Sequence, residues 1–235
     1  MPELPIANCR LQIAAALLLA ITTAAQESVP PSPSASSSPF LSPTAPPART
    51  VRIAFVPPPL DGTISLGVYD SASKLVRVLH QEAALNEFAL EPDGLETKWD
   101  GKNDDGRDLP AGRYRARGYA VACKVEELGS APNGLPSNVA EHVTVRLIPN
   151  PLANTANLTI ELAVGFDDQN CFLRTIDGLP LVTISETSNV WRAFLAKDGE
   201  RSVDVFQDDG DTVDQFRVSN VNRMMAFDCG EIELK

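Results

Sequence analysis

Only two histidines, His80 and His142, occur in 235 residues, and they stand far apart in the chain. With no C-x-x-C pair either, a zinc site has no ligand set to draw on. No G-x-S-x-G elbow of a serine hydrolase is present, and no histidine-based metal cluster. Lys and Arg number 20 against 31 Asp and Glu, a formal charge of −11. That balance argues against a nucleic-acid partner, because no surplus of cations is left to neutralise phosphates, and none is expected. It suits an exported protein whose copies repel one another. Aromatic residues make up 6% of the chain while prolines number 19, which favours short strands and loops over a helix bundle. No stretch carries a long helical stripe, and the one long apolar run, Leu11 to Ile21, is too short to span a bilayer comfortably.

That run reads as the core of a signal peptide covering residues 1–25. Arg10 supplies the positive charge before it, and small residues lead to a cut after Ala25. The expected location is secreted, periplasmic or at the cell surface, with no membrane span after cleavage. Removal of Cys9 leaves Cys123, Cys171 and Cys229, an odd number that permits at most one internal disulfide. Cys171 and Cys229 are the candidate pair; the competing reading is burial as small hydrophobes. Residues 26–49 are rich in Pro and Ser and nearly without charge, as in "PPSPSASSSPF", and predict an extended, disordered linker.

From Thr50 onward the apolar period is two. Ile64, Leu66 and Val68 alternate with Ser65, Gly67 and Tyr69, and Val143, Val145 and Leu147 share one side. Tyr114, Ala116, Gly118 and Ala120 oppose the stripe Arg113, Arg115 and Arg117. Leu158, Ile160, Leu162, Val164 and Phe166 line one face of a further segment. Such alternation predicts strands with one face on a core and one in water, so the chain reads as all-β. Asp-Gly and Asn-Gly turns punctuate it. Two units are expected, 50–148 and 149–235, divided where Pro149-Asn150-Pro151 breaks the pattern.

The densest cluster of chemistry-bearing residues is "KWDGKNDDGRDLPAGRYRARGY", Lys98 to Tyr119. An EF-hand alignment on Gly106 puts Asn103 and Asp105 at ligand positions but leaves glycines, Gly101 and Gly112, at the first and last. The acids all lie in one Gly-rich loop, with no partner in view for acid–base work. A turn accounts for each residue better. Trp99 points inward, Asp100-Gly101 and Asp105-Gly106 cap their own backbone, and "LPAG" sets Pro110 and Gly112 in a type I turn. "FQDDGDTVDQF", with Asp208, Asp209, Asp211 and Asp214, also lacks ligand spacing and reads as a turn. The arginine stripe reads as a solvated face paired with nearby acids, or else as a surface for an acidic partner. No catalytic, metal or cofactor site is expected.

Residues of the first unit resemble the immunoglobulin-like domain of flagellar hook-capping (FlgD-type) proteins, a module found in many exported bacterial proteins. Trp99, Asp100, Gly101, Gly106, Pro110, Gly112 and Tyr114 match its W-D-G-x-(N/D)-x-x-G-x-x-L-P-x-G-x-Y pattern. Ser73 departs from it, standing where the family usually has Gly. The resemblance covers about residues 50–125, and implies a small β-sandwich acting as spacer or interaction module, without catalysis. The second unit, with its hairpin rhythm, resembles one to two blades of an incomplete β-propeller. The expected function is that of an exported, non-enzymatic structural or interaction protein, with an unknown protein or cell-surface partner. The rival is a carbohydrate- or ligand-binding protein, or a propeller-type enzyme fragment, with its site on the C-terminal β unit.

Overall fold

The computed structural model describes residues 49–131, 134–152 and 159–235. The signal-peptide segment and all of the Pro/Ser-rich stretch but Arg49 lie outside the described residues, as does Leu158. Among the described residues there are fifteen strands and one short 3-10 turn at Leu85–Glu87, so the chain is nearly all β. No helix there is long and apolar enough to cross a membrane.

The first six strands are β1 (Val51–Phe55), β2 (Thr63–Tyr69), β3 (Leu75–Ala83), β4 (Ala89–Glu91), β5 (Gly94–Trp99) and β6 (Gly112–Val121). β7 (Lys124–Ser130), β8 (His142–Arg146), β9 (Thr159–Phe166), β10 (Asn170–Thr175) and β11 (Pro180–Glu186) follow. The series ends with β12 (Arg192–Asp198), β13 (Ser202–Asp208), β14 (Val213–Ser219) and β15 (Met224–Leu234). They form four antiparallel sheets, ordered β1-β5-β4, β15-β6-β2-β3, β11-β10-β9-β8 and β12-β13-β14-β7.

Two hydrophobic cores result. One gathers Ile53, Phe55, Leu66, Trp99, Tyr114 and Phe227 from the first two sheets. The other gathers Val145, Leu162, Leu173, Leu195, Val205 and Phe216 from the last two. The predicted alternation holds on β6, where Tyr114, Ala116, Gly118 and Ala120 are buried, and on β8 and its continuation to Leu147. Phe166 departs from its stripe and is exposed, because β9 turns back into the β10 hairpin there.

The division expected at residue 148 does not follow the strand pairing. β15, the last strand, pairs with β6 from Met224↔Val121 to Leu234↔Gly112 and is part of the first core. β7 and β8, upstream of the supposed boundary, pair with β14 and β9 in the sheets of the second. The chain crosses between the two cores at Ala122–Cys123 and returns at Asn220–Arg223, and Ala122 N–H donates to the Arg223 carbonyl at 3.0 Å. Pro149-Asn150-Pro151 is not a free connector either. Asn150 is buried, donates through Nδ2 to the Ala226 carbonyl at 3.0 Å, and accepts the Leu152 N–H. The described residues from Arg49 to Lys235 accordingly belong to a single compact unit.

A second departure concerns β2. Ser65 and Tyr69 were expected in water, yet both are buried. The outer face of β2 and β3 is covered by the β10–β11 hairpin: Leu179 approaches Gly67, and Arg117 stacks on the Tyr69 ring at 3.8 Å while pairing with Asp177 at 2.9 Å. Glu82, in the left-handed region at φ 49, accepts the Thr183 N–H at 2.6 Å and closes the same contact.

His80 on β3 packs on Phe88, ring centroids 4.4 Å apart, with Nε2 2.7 Å from Thr97 Oγ1. Burial pushes its pKa below the ordinary 6.5, against a smaller opposing effect of Glu87. The unfolded chain therefore binds this proton more readily, so the contribution is complete above about pH 6.5 and is lost as pH falls through the lower folded value. Urea midpoints measured between pH 7 and 5 should fall more for the native chain than for His80→Gln. Equal falls would show that His80 titrates freely.

Candidate functional site

The acidic loop between β5 and β6 is assembled from its own side chains. Trp99 is fully buried, meets Tyr114 edge-on with centroids 5.0 Å apart, and donates its indole N–H to the Lys102 carbonyl at 2.9 Å. Asp100 accepts the Lys102 N–H at 3.1 Å and Asn103 the Arg107 N–H at 2.9 Å. Asp104 reaches the edge of β3 and accepts the Val78 N–H at 2.9 Å, while Arg77 donates back to the Asn103 carbonyl at 2.8 Å. Tyr114 Oη donates to the Pro110 carbonyl at 2.9 Å. Gly101 and Gly106 both sit near φ 75, which other residues adopt only at a cost. Gly101 is also crowded: a side chain there would meet Leu234 Cδ1 at 2.8 Å and would touch Arg49. At Gly112 neither conformation nor space demands glycine. These carboxylates cap backbone rather than converge on a point, and no three His, Cys, Asp or Glu among the described residues could share a metal.

Ser73 takes φ 62, a left-handed conformation that suits glycine better than serine. Asp70 holds the turn by accepting the Ala72 and Lys74 N–H groups at 2.9 Å. Ser73→Gly should stabilise the protein by about 0.5–1 kcal/mol, the steric relief exceeding the entropy glycine adds to the unfolded chain. Urea denaturation reads it; a destabilised variant would show that the serine is at ease there.

The arginine stripe of β6 is paired: Arg113 with Glu231, Arg115 with Asp228 through Nε at 2.7 Å, and Arg117 with Asp177. The acids after β13 are turn-formers. Asp208 accepts from Arg192 Nε at 2.7 Å and from the Gly210 N–H, and Asp209 accepts from Asp211 and Thr212 N–H. Those donors hold both carboxyls below the usual range. The candidate disulfide does not form. Cys171 lies inside the second core, Cys229 packs against the first, and all three described cysteines are free. Burial pushes each thiol up to about 12, far from the thiolate a nucleophile needs.

What sequence reasoning did not single out is the face of the sheet β12-β13-β14-β7 turned away from the core. A cleft of about 390 Å³ opens there between the sheet and the segment that follows β7, with Pro136 and Asn138 on one side and Asp204, Phe206 and Gln215 on the other. Asp204 is buried and fully engaged: Arg217 grips it with Nε at 2.8 Å and Nη2 at 3.0 Å, and Gln215 Nε2 donates at 2.9 Å. Arg217 also reaches Asp198 at 3.0 Å. At the other end of β12 stands Trp191, 68% exposed, with the Arg192 guanidinium 5.2 Å from its ring and 5.9 Å from that of Phe194. The signal lay in "SVDVFQD" beside "VDQFRVS", whose polar positions face one another once the hairpin register is known.

No protein-family model, curated protein or solved structure matches this chain.

Proposed function

We propose that this chain is an exported, non-enzymatic protein whose FlgD-like immunoglobulin-type sandwich, formed by the first two sheets, serves as spacer or interaction module for a protein or cell-surface partner. The observation that carries the reading is the acidic loop. The residues matching the family pattern there make a rigid turn, with Trp99 sealed beneath it and Asp100 spent on backbone. A loop so committed supports architecture rather than chemistry. The Pro/Ser-rich segment ahead of it fits a stalk. Cells producing the full chain are to be fractionated and the product sequenced from its N-terminus. A protein recovered outside the cytoplasm and starting at Gln26 is expected. A cytosolic product still starting at Met1 would overturn export and, with it, this role.

A further inference from the structure

We propose that the cleft on the outer side of the sheet β12-β13-β14-β7 binds a neutral oligosaccharide, with the exposed indole of Trp191 as its stacking platform and Gln215, braced by Asp204, reading its hydroxyls together with Asn138. This is independent of where the protein resides, so the fractionation above and the binding test below can fail separately.

Four features of the face converge on that ligand. First, one of only two tryptophans lies open to water at the end of β12 while the other is fully buried. Its ring is flanked by Arg192, itself tied to Asp208 at 2.7 Å, so the platform is steadied from the side. A planar apolar surface with a polar rim suits the C–H face of a pyranose ring.

Second, the polar groups are fixed in place before any ligand arrives. Asp204 is held by two partners, and Arg217 is shared between Asp204 and Asp198. Groups whose orientation is already set lose little entropy on binding. Asp204 is saturated by these donors and serves to brace Gln215, which with Asn138 on the opposite wall offers hydrogen-bonding groups to the cleft. The space, about 390 Å³, lies within the range of small-ligand sites.

Third, charge is balanced. Arg192 pairs with Asp208 and Arg217 with Asp204 and Asp198, while Lys197 donates to the Thr144 carbonyl at 3.3 Å. Lys197 is then the one cation among these residues without a carboxylate partner, and the chain's charge of −11 disfavours anions. A ligand rich in hydroxyls and without charge meets no such penalty.

Fourth, an extended peptide would be expected to add to a strand edge, and the β12 edge is partly taken. Ala140 donates to the Leu195 carbonyl at 2.7 Å and accepts the Leu195 N–H at 3.0 Å. What stays open on this side is the cleft and the two ends of β12, since Ala196, Asp204, Phe206 and Asp208 are buried. From Arg192 to Asp198 the strand runs roughly 20 Å, long enough for several linked sugar rings. Phe194 lies half-buried along the way, while its cross-strand partner Phe206 is buried.

The test is affinity electrophoresis of the full chain in gels containing neutral β-glucan, xylan, galactomannan or glycol chitin, with tryptophan fluorescence as second readout. At least one polysaccharide should retard the protein and alter emission, the change arising at Trp191 because Trp99 is buried. Trp191→Ala should weaken binding at least about tenfold and abolish the fluorescence change, and Gln215→Ala should weaken it several-fold. Both side chains are dispensable for the core, and unchanged melting temperatures would confirm that the variants are folded. Retardation that survives both substitutions would overturn the proposal. So would the absence of retardation by every polysaccharide, or binding of peptides alone.

Discussion

A chain ending at Ile148 will fail to fold. Its expected behaviour is insolubility or a non-cooperative urea transition, although it contains the whole segment that alternates most regularly and carries the family-like loop. The reason is β15. Without it β6 becomes the edge of its sheet, ten paired positions are lost, and Phe227, Ile232 and Leu234 leave the first core. Each such apolar side chain contributes about 1.5–3 kcal/mol when buried, so the three together rival the 5–15 kcal/mol by which domains are typically stable. The truncation also leaves β7 without β14 and β8 without β9. Expression of residues 49–148 beside residues 49–235, followed by urea denaturation, decides the matter. A soluble 49–148 fragment with a single sharp transition would mean that the first two sheets hold together without their last strand.

Trp99→Ala should cost about 3–5 kcal/mol, the range seen when a large buried aromatic is reduced to a methyl group. The indole touches both sides of the first core: it lies on β5 opposite Val51, meets Tyr114 of β6, and its N–H anchors the acidic loop at Lys102. Trp99→Phe keeps most of the apolar contact but loses that hydrogen bond, and should cost less, about 1–2 kcal/mol. Chemical denaturation of the three proteins gives the ordering. If the alanine variant lost under 1 kcal/mol, the loop would have to be held by its carboxylate caps and not by the ring beneath it.

The sequence was legible where one face of a strand meets water and the other meets a core. Tyr114, Ala116 and Ala120 on β6, or Val143 and Val145 on β8, obey that rule and are buried as the period predicts. The same period could not reveal that Ser65 and Tyr69 would be covered too, because alternation distinguishes two faces without saying what lies over either. Long-range pairing was equally hidden. Arg115 and Asp228 face each other from positions 113 residues apart, and nothing local marks them as neighbours. Prolines 149 and 151 correctly forbade a strand, but a segment without strand geometry can still be packed, as Asn150 is against β15. The cysteine count permitted a bridge that two separate cores prevent. In the cleft, Asp204 and Arg217 acquire meaning only through the register of β13 on β14, which no count of charges supplies.

The crowding at Gly101 has a mechanical consequence. Arg49 and Leu234 both lie against that one glycine, so these two points of the chain sit close together. Tension applied between those two points would not stretch the body along its length. It would peel β15 from the rim of its sheet, separating the Leu234↔Gly112 pair first and the remaining pairs in turn. Bonds broken one after another yield at far lower force than bonds sheared together, so the fold would come undone from its last strand.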